Sequence, residues 1–203
     1  MHPTEKRRSD PERAQHRRKQ VLDAATLCFS RSGFHGASMA EISKAAGMSA
    51  GHIYNYFDNK DAIIMAFVEQ DVERIMAELL ELEKNDDPLQ AMLDDAAKSV
   101  KENLDPALWR LWMEVCAEAA RNPKIAAAVV DADLRARLRF RTLFQLARER
   151  KGLAHDDFTV DGRIEAIVAL FQGLSLRALH NPGLDEAALV ASFVVAMRAL
   201  CLT

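Results

Sequence analysis

At 203 residues, with the helix formers Ala, Leu, Glu, Arg and Met outnumbering Val, Ile, Thr and Tyr, the chain has room for an ample core and a composition that favours helix throughout. Its net charge of −3 is uneven: residues 1–60 hold ten Lys or Arg against six Asp or Glu, while residues 61–203 carry −7, so only the front suits a polyanion. The apolar uncharged stretches at 166–176 and 187–197 are 11 residues long, against the ~20 needed to span a bilayer, and the basic N-terminus lacks a signal peptide's apolar run, so a soluble, cytoplasmic protein with no membrane partner is expected.

Residues 1–12, MHPTEKRRSDPE, are polar and aperiodic and are expected to form a mobile basic arm. Its Lys6, Arg7 and Arg8 would either follow DNA phosphates or remain a solvated tail. From Arg13 to Ser32 an amphipathic helix is predicted, with Leu22, Ala25 and Phe29 on one stripe and Gly33 as its stop. Ser38 followed by Glu41 is a capping-box signature for a helix opening at Met39. Gly47 can close that helix and Ser49 can cap another, from Ala50 to about Tyr56. In this second helix Ile53 and Phe57 point one way, leaving His52, Tyr54, Asn55 and Tyr56 for another face. Two helices joined by a short Gly-containing turn, the second rich in hydrogen-bonding side chains, form the sequence pattern of a helix-turn-helix. With the first helix they predict a three-helix DNA-binding headpiece over residues 13–60.

Asp58 or Asn59 can cap a long helix from Lys60 to Lys84, in which Ile64, Val68, Val72, Ile75, Leu79 and Leu82 recur at helical spacing. N-D-D-P at 85–88 stops it, and Pro88 suits the first turn of a successor. Five further helices are predicted, at 88–103, 106–121, 123–151, 161–180 and 185–202, for an all-α count of about nine with no strand pattern. The last two are apolar on more than one face and include Ala169 and Gly173, four apart. Such helices need cover on both sides, given either by the chain's own fold or by a second copy in a four-helix, twofold interface. Residues 61–203 are thus expected to form a helical rear domain that carries the dimerisation surface.

DNA reading separates contacts that fix position on phosphates from those that interrogate base edges. Ser38 and Ser49 at helix starts, and Lys60 at the start of the long helix, suit phosphate oxygens. Ala50 lies in the same first turn, and Gly51 would let the second helix sit close to the groove floor. His52 and Asn55 can donate and accept at base edges, while Tyr54 and Tyr56 can reach phosphates, touch thymine methyls or simply pack the headpiece. The stretch A-G-M-S-A-G-H-I-Y-N-Y-F-D-N-K-D resembles the DNA-reading segment of the TetR family of bacterial transcriptional regulators, A-G-x-S-x-G-x-x-Y-x-Y-F-x-x-K-[DE]. The likeness in motif covers roughly residues 17–65, with Ser38 where many relatives carry Thr.

A single short helix reads too little DNA, so a homodimer on a double-stranded, inverted-repeat operator is expected; the resemblance implies in addition an allosteric repressor, released when a small-molecule effector enters the ligand-binding rear domain, residues 61–203. Residues offered for that ligand are Trp109, Trp112, Met113 and Cys116, with Phe140, Phe144 and Phe171, and Glu114, Gln145 or Gln172 as polar groups. The alternatives are a ligand-independent dimeric regulator, and a helical enzyme or carrier that uses the aromatic cluster.

Gly47-Met48-Ser49-Ala50-Gly51 also satisfies G-x-S-x-G, but that nucleophile elbow needs a strand before the Ser, and E-I-S-K-A-A is helical. No catalytic residue is assigned. Six histidines show no H-x-x-x-H pair, so neither a metal site nor a cofactor is expected. Cys28, Cys116 and Cys201 are scattered and expected to be buried free thiols.

Overall fold

A computed structural model describes residues 11–203 as nine helices, with no strand among the described residues. Most of the predicted basic arm lies outside those residues. The order is α1 (Pro11–Gly36), α2 (Met39–Ala45), α3 (Ala50–Ile53), α4 (Lys60–Glu83), α5 (Pro88–Leu104), α6 (Pro106–Ala119), α7 (Pro123–Arg150), α8 (Asp157–His180) and α9 (Glu186–Leu202). The fold is all-α, as the composition predicts.

Helix starts follow local chemistry. Asn59, Asp87, Asn122, Asp156 and Asp185 each turn a side-chain oxygen onto a free backbone N–H of the following helix. Asp156 begins α8 four residues before the predicted start at 161, because its carboxylate accepts from Thr159 N–H at 3.0 Å and converts D-D-F-T from loop to first turn. α1 breaks at Gly33, with φ 70° and ψ 168°, a conformation only glycine adopts freely; one further turn then carries the chain to Gly36.

Two apolar cores meet along α4. The front core joins Val21, Ala25 and Phe29 of α1, Ile42 of α2 and Ile53 of α3 to Phe57, to Ile63, Ile64, Phe67 and Val72 of α4, and to Val115, Ile125 and Ala132 of α6 and α7. It therefore runs past residue 60, so the headpiece is seated on the rear helices rather than merely strung to them. The rear core gathers Leu79, Leu89, Leu93, Val100, Phe140, Phe144, Ile164, Ile167, Phe193 and Met197. α4 packs chiefly on α7, and α5 on α9.

Ion pairs fasten the surface between long helices: Arg135 to Glu69 at 2.6 Å, Arg139 to Glu83, and Arg137 to Glu165 at 2.6 Å. Among the described residues one cation is wholly interior. Arg148 is 0% exposed and spends its donors on Ala154 O, Cys201 O and Thr203 O, closing the end of α9, and its burial pushes the guanidinium's pKa down. Cys28 and Cys201 are buried, and burial raises the Cys201 thiol to about 11. Cys116 is exposed, against expectation, since its place on α6 faces away from both cores.

Candidate nucleic-acid interface

The geometry of the reading segment starts with its caps. Ser38 Oγ accepts from Glu41 N–H at 3.2 Å while Glu41 Oε2 accepts from Ser38 N–H at 2.8 Å, so the predicted capping box is closed in both directions. The Ser38 N–H bond, then the Ser38 hydroxyl bond at 3.0 Å, hold the Glu41 carboxyl below its ordinary value. Gly47 takes φ 63° after α2, where a side chain would be strained. Ser49 Oγ then accepts from His52 N–H at 3.3 Å and opens α3.

α3 has four residues rather than the seven predicted, because beyond Ile53 the chain tightens: Asn55 N–H reaches His52 O and Tyr56 N–H reaches Ile53 O. Ile53 is 0% exposed and fixes this turn to the front core. Around it Ala50, Gly51, His52, Tyr54 and Asn55 are all exposed, and so are Ser38 and Ser49. Tyr56 is half-buried, its ring against the core and its hydroxyl 3.3 Å from His52 Nε2. The structure thus places base-reading candidates on one outward row with an apolar anchor behind it.

Three tethers hold the row in place; the sequence singles out only one of the three residues, Lys60, and for a phosphate contact instead. Gln20 Nε2 donates to Ala46 O at 2.7 Å, pinning the end of α2 to α1. Arg18 donates to Tyr56 O at 2.8 Å and covers the Phe57 ring at 4.4 Å, pinning the far side of α3. The third is Lys60, whose ammonium donates to Phe34 O at 2.5 Å and Ala37 O at 2.7 Å and lies 4.6 Å from the Phe34 ring. Its charge is turned inward, onto carbonyls, rather than outward to where a phosphate would approach. No periodicity marks such bonds, since each joins residues 23 to 38 positions apart.

Ser49 sits between two helices with no strand before it, so the G-x-S-x-G pattern lacks the elbow its chemistry needs. Among the described residues no three His, Cys, Asp or Glu gather as a metal site, and no helix is long and apolar enough to cross a membrane.

The residues offered for a ligand are divided. Trp112 packs on the front core, whereas Phe140, Phe144 and Phe171 belong to the rear, with Phe171 and Phe193 in edge contact at 4.9 Å. Gln172 is exposed on α8, and Gln145 Nε2 is spent on His155 O. Glu114 accepts from Phe34 N–H at 2.8 Å, a bond to the head rather than to a pocket. Trp109 stands apart: its indole Nε1 is buried and has no hydrogen-bond partner among the described residues.

Residues 21–67 match the family described as bacterial regulatory proteins, tetR family, and residues 85–200 match the C-terminal region of BetI-type transcriptional repressors. The chain is 30% identical over 191 residues to the HTH-type transcriptional regulator UidR of Escherichia coli, spanning 92% of each. Among solved structures it is similar to GusR of Salmonella enterica, with a TM-score of 0.75 and 25% identity over 93% of this chain and 96% of that one. It also shares the fold of Bacillus subtilis FadR in complex with stearoyl-CoA, with a TM-score of 0.73 and 17% identity over 91% of this chain and 97% of that one.

Proposed function

The chain belongs to the TetR family and is a DNA-binding transcriptional regulator, not an enzyme; on that premise we propose a homodimeric repressor that holds an inverted-repeat operator and lets go when a small molecule enters its rear helices. The observation that carries the reading is the outward row Ala50, Gly51, His52, Tyr54 and Asn55, backed by buried Ile53.

In this scheme Asn55 and His52 interrogate base edges, Asn55 suiting the paired donor and acceptor of adenine. The Tyr54 and Tyr56 hydroxyls and the N-terminal turns at Ser38 and Ser49 set the register on phosphates. Lys60 supports them by clamping residues 34–37. The row spans only residues 50–55, so one head reads too little DNA for a genomic site, and two heads about one duplex turn apart, ~34 Å, are required. α8 and α9 favour supplying the second head: Leu176 and Leu179 of α8 and Val195 of α9 stand 46%, 50% and 69% exposed, and Ala169 is exposed too, apolar surface that a twofold copy would cover. Release by a ligand is supported by the Trp109 indole, which finds no acceptor among the described residues, since a buried N–H without one is costly. A molecule offering an oxygen acceptor on an apolar body suits it, and the FadR complex illustrates that this fold can hold an acyl-CoA.

The test is selection of bound sequences from random duplex DNA. An inverted repeat with half-sites about one turn apart is expected, and Asn55→Ala or His52→Ala should cost ~1–3 kcal/mol on the selected site and relax preference at one position per half-site. A loss spread evenly over all sequences would move those residues to the phosphates, and failure to enrich any duplex would sink the proposal.

A further inference from the structure

Glu118 lies 4% exposed at the end of α6, an unusual place for a carboxylate, and it is used from two sides. His35 Nε2 approaches its Oε1 at 2.8 Å and Arg121 Nη2 at 2.7 Å. One helical turn earlier, Glu114 accepts the Phe34 N–H at 2.8 Å, and its carboxylate lies 3.5 Å from where a Cβ on Gly33 would be. Both acidic side chains of α6 therefore grip the same short stretch, the end of α1 just beyond its break.

That stretch is held from below as well. Lys60 of α4 binds the carbonyls of Phe34 and Ala37, and after Ala37 the chain passes directly into the Ser38 cap of α2. Residues 33–37 are thus a knot whose N–H and imidazole side belongs to α6 and whose carbonyl side belongs to α4. α2 and α3 hang from it.

Resting on the reading of α3 as the DNA-facing segment, we infer that Glu114 and Glu118 are positioning residues for the reading head. They fix residues 33–37 to α6, so that a displacement of α6 reaches α2 and α3 through this knot directly, in parallel with the path along α4. Trp109 and Trp112 lie on the same helix, so a ligand that moved α6 would act on the head through these two carboxylates.

Hydrogen–deuterium exchange on the full chain without DNA decides the matter. Glu114→Ala and Glu118→Ala should each speed exchange across residues 33–57 by about tenfold while α8 and α9 keep their rates, because a charge-assisted bond to the head is lost and the rear core is untouched. Glu118→Gln, which keeps the shape and loses the charge, serves if the Ala variant does not fold, and should move in the same direction. His35→Arg, which keeps an N–H donor over Glu118, should hold the wild-type rates, whereas His35→Leu should not; a role in packing alone would not distinguish the two. Unchanged exchange at 33–57, or an equal rise in every helix, would overturn the inference. A parallel titration with a duplex selected from a random pool should find weaker binding by the Ala variants with the salt slope preserved, since no phosphate contact is removed. If the wild-type chain bound no duplex, the DNA reading would fall while the exchange result would still decide the knot.

Discussion

In the head, α2 and α3 have seven and four residues, too few to hold a helix in water by themselves. They keep their shape because capping hydroxyls and long side chains from α1 and α4 seize particular backbone groups, as Gln20 does Ala46 O and Arg18 does Tyr56 O. In the rear, α7 and α8 run 28 and 24 residues and hold one another through apolar area, with ion pairs only on their outer flanks. The two regions divide the labour of stability and shape. A rear substitution should cost folding energy in proportion to what it leaves empty, whereas a head substitution should cost placement of the reading row beyond what it costs in folding.

The largest expected effect tests the rear half of that contrast. Phe144 is 0% exposed and its ring packs, tilted, 5.6 Å from that of Phe140, so Phe144→Ala should lose ~3–5 kcal/mol in urea unfolding. The folded fraction should bind a selected duplex as the wild type does. A loss below ~1 kcal/mol would mean that this region collapses around the gap and is not the tightly packed anchor described.

Lys60→Met probes the head and should cost less, ~1–3 kcal/mol, since two part-buried carbonyls lose their donor. The discriminating measurement is salt dependence. With the ammonium turned inward, affinity for a selected duplex should fall at every salt concentration without a change of slope. A slope shallower by about 0.9 would mean that Lys60 neutralises a phosphate after all.

Lys60 also marks where sequence reading stops. The helices, the break at Gly33 and the caps at Ser38 and Ser49 were legible because each depends on residues within four positions. The outward row was legible too, since Ile53 and Phe57 claim the inner side of that segment, though the Tyr56 ring, expected on the other face, packs partly with them. What Lys60, Arg18, Gln20 and Glu114 do with their polar ends was not legible, because their partners are 23 to 80 residues away and nothing in the local pattern marks them. The same blindness merged the aromatic residues into one cluster. Spacing places Trp112 on a helix but cannot say which of two cores that helix face meets, and it meets the front one, away from Phe140 and Phe144.

The smallest effect sharpens the contrast at the capping box. Glu41 accepts from Ser38 N–H and from the Ser38 hydroxyl, which lower its carboxyl pKa in the folded chain below the ordinary 4.5. A carboxyl lowered on folding contributes stability that is complete above its unfolded value and is lost as pH falls through the folded one. Glu41→Gln cannot titrate, so the gap in melting temperature between wild type and variant should be present at pH 7 and should close under acid. A gap that persists in acid would assign the difference to shape rather than charge. Glu41 is fully exposed, so the change in melting temperature should be slight, and the informative readout is local: hydrogen exchange in α2 should respond to acid while that in α7 and α8 does not, as follows if the short helices depend on individual bonds and the long ones on buried area.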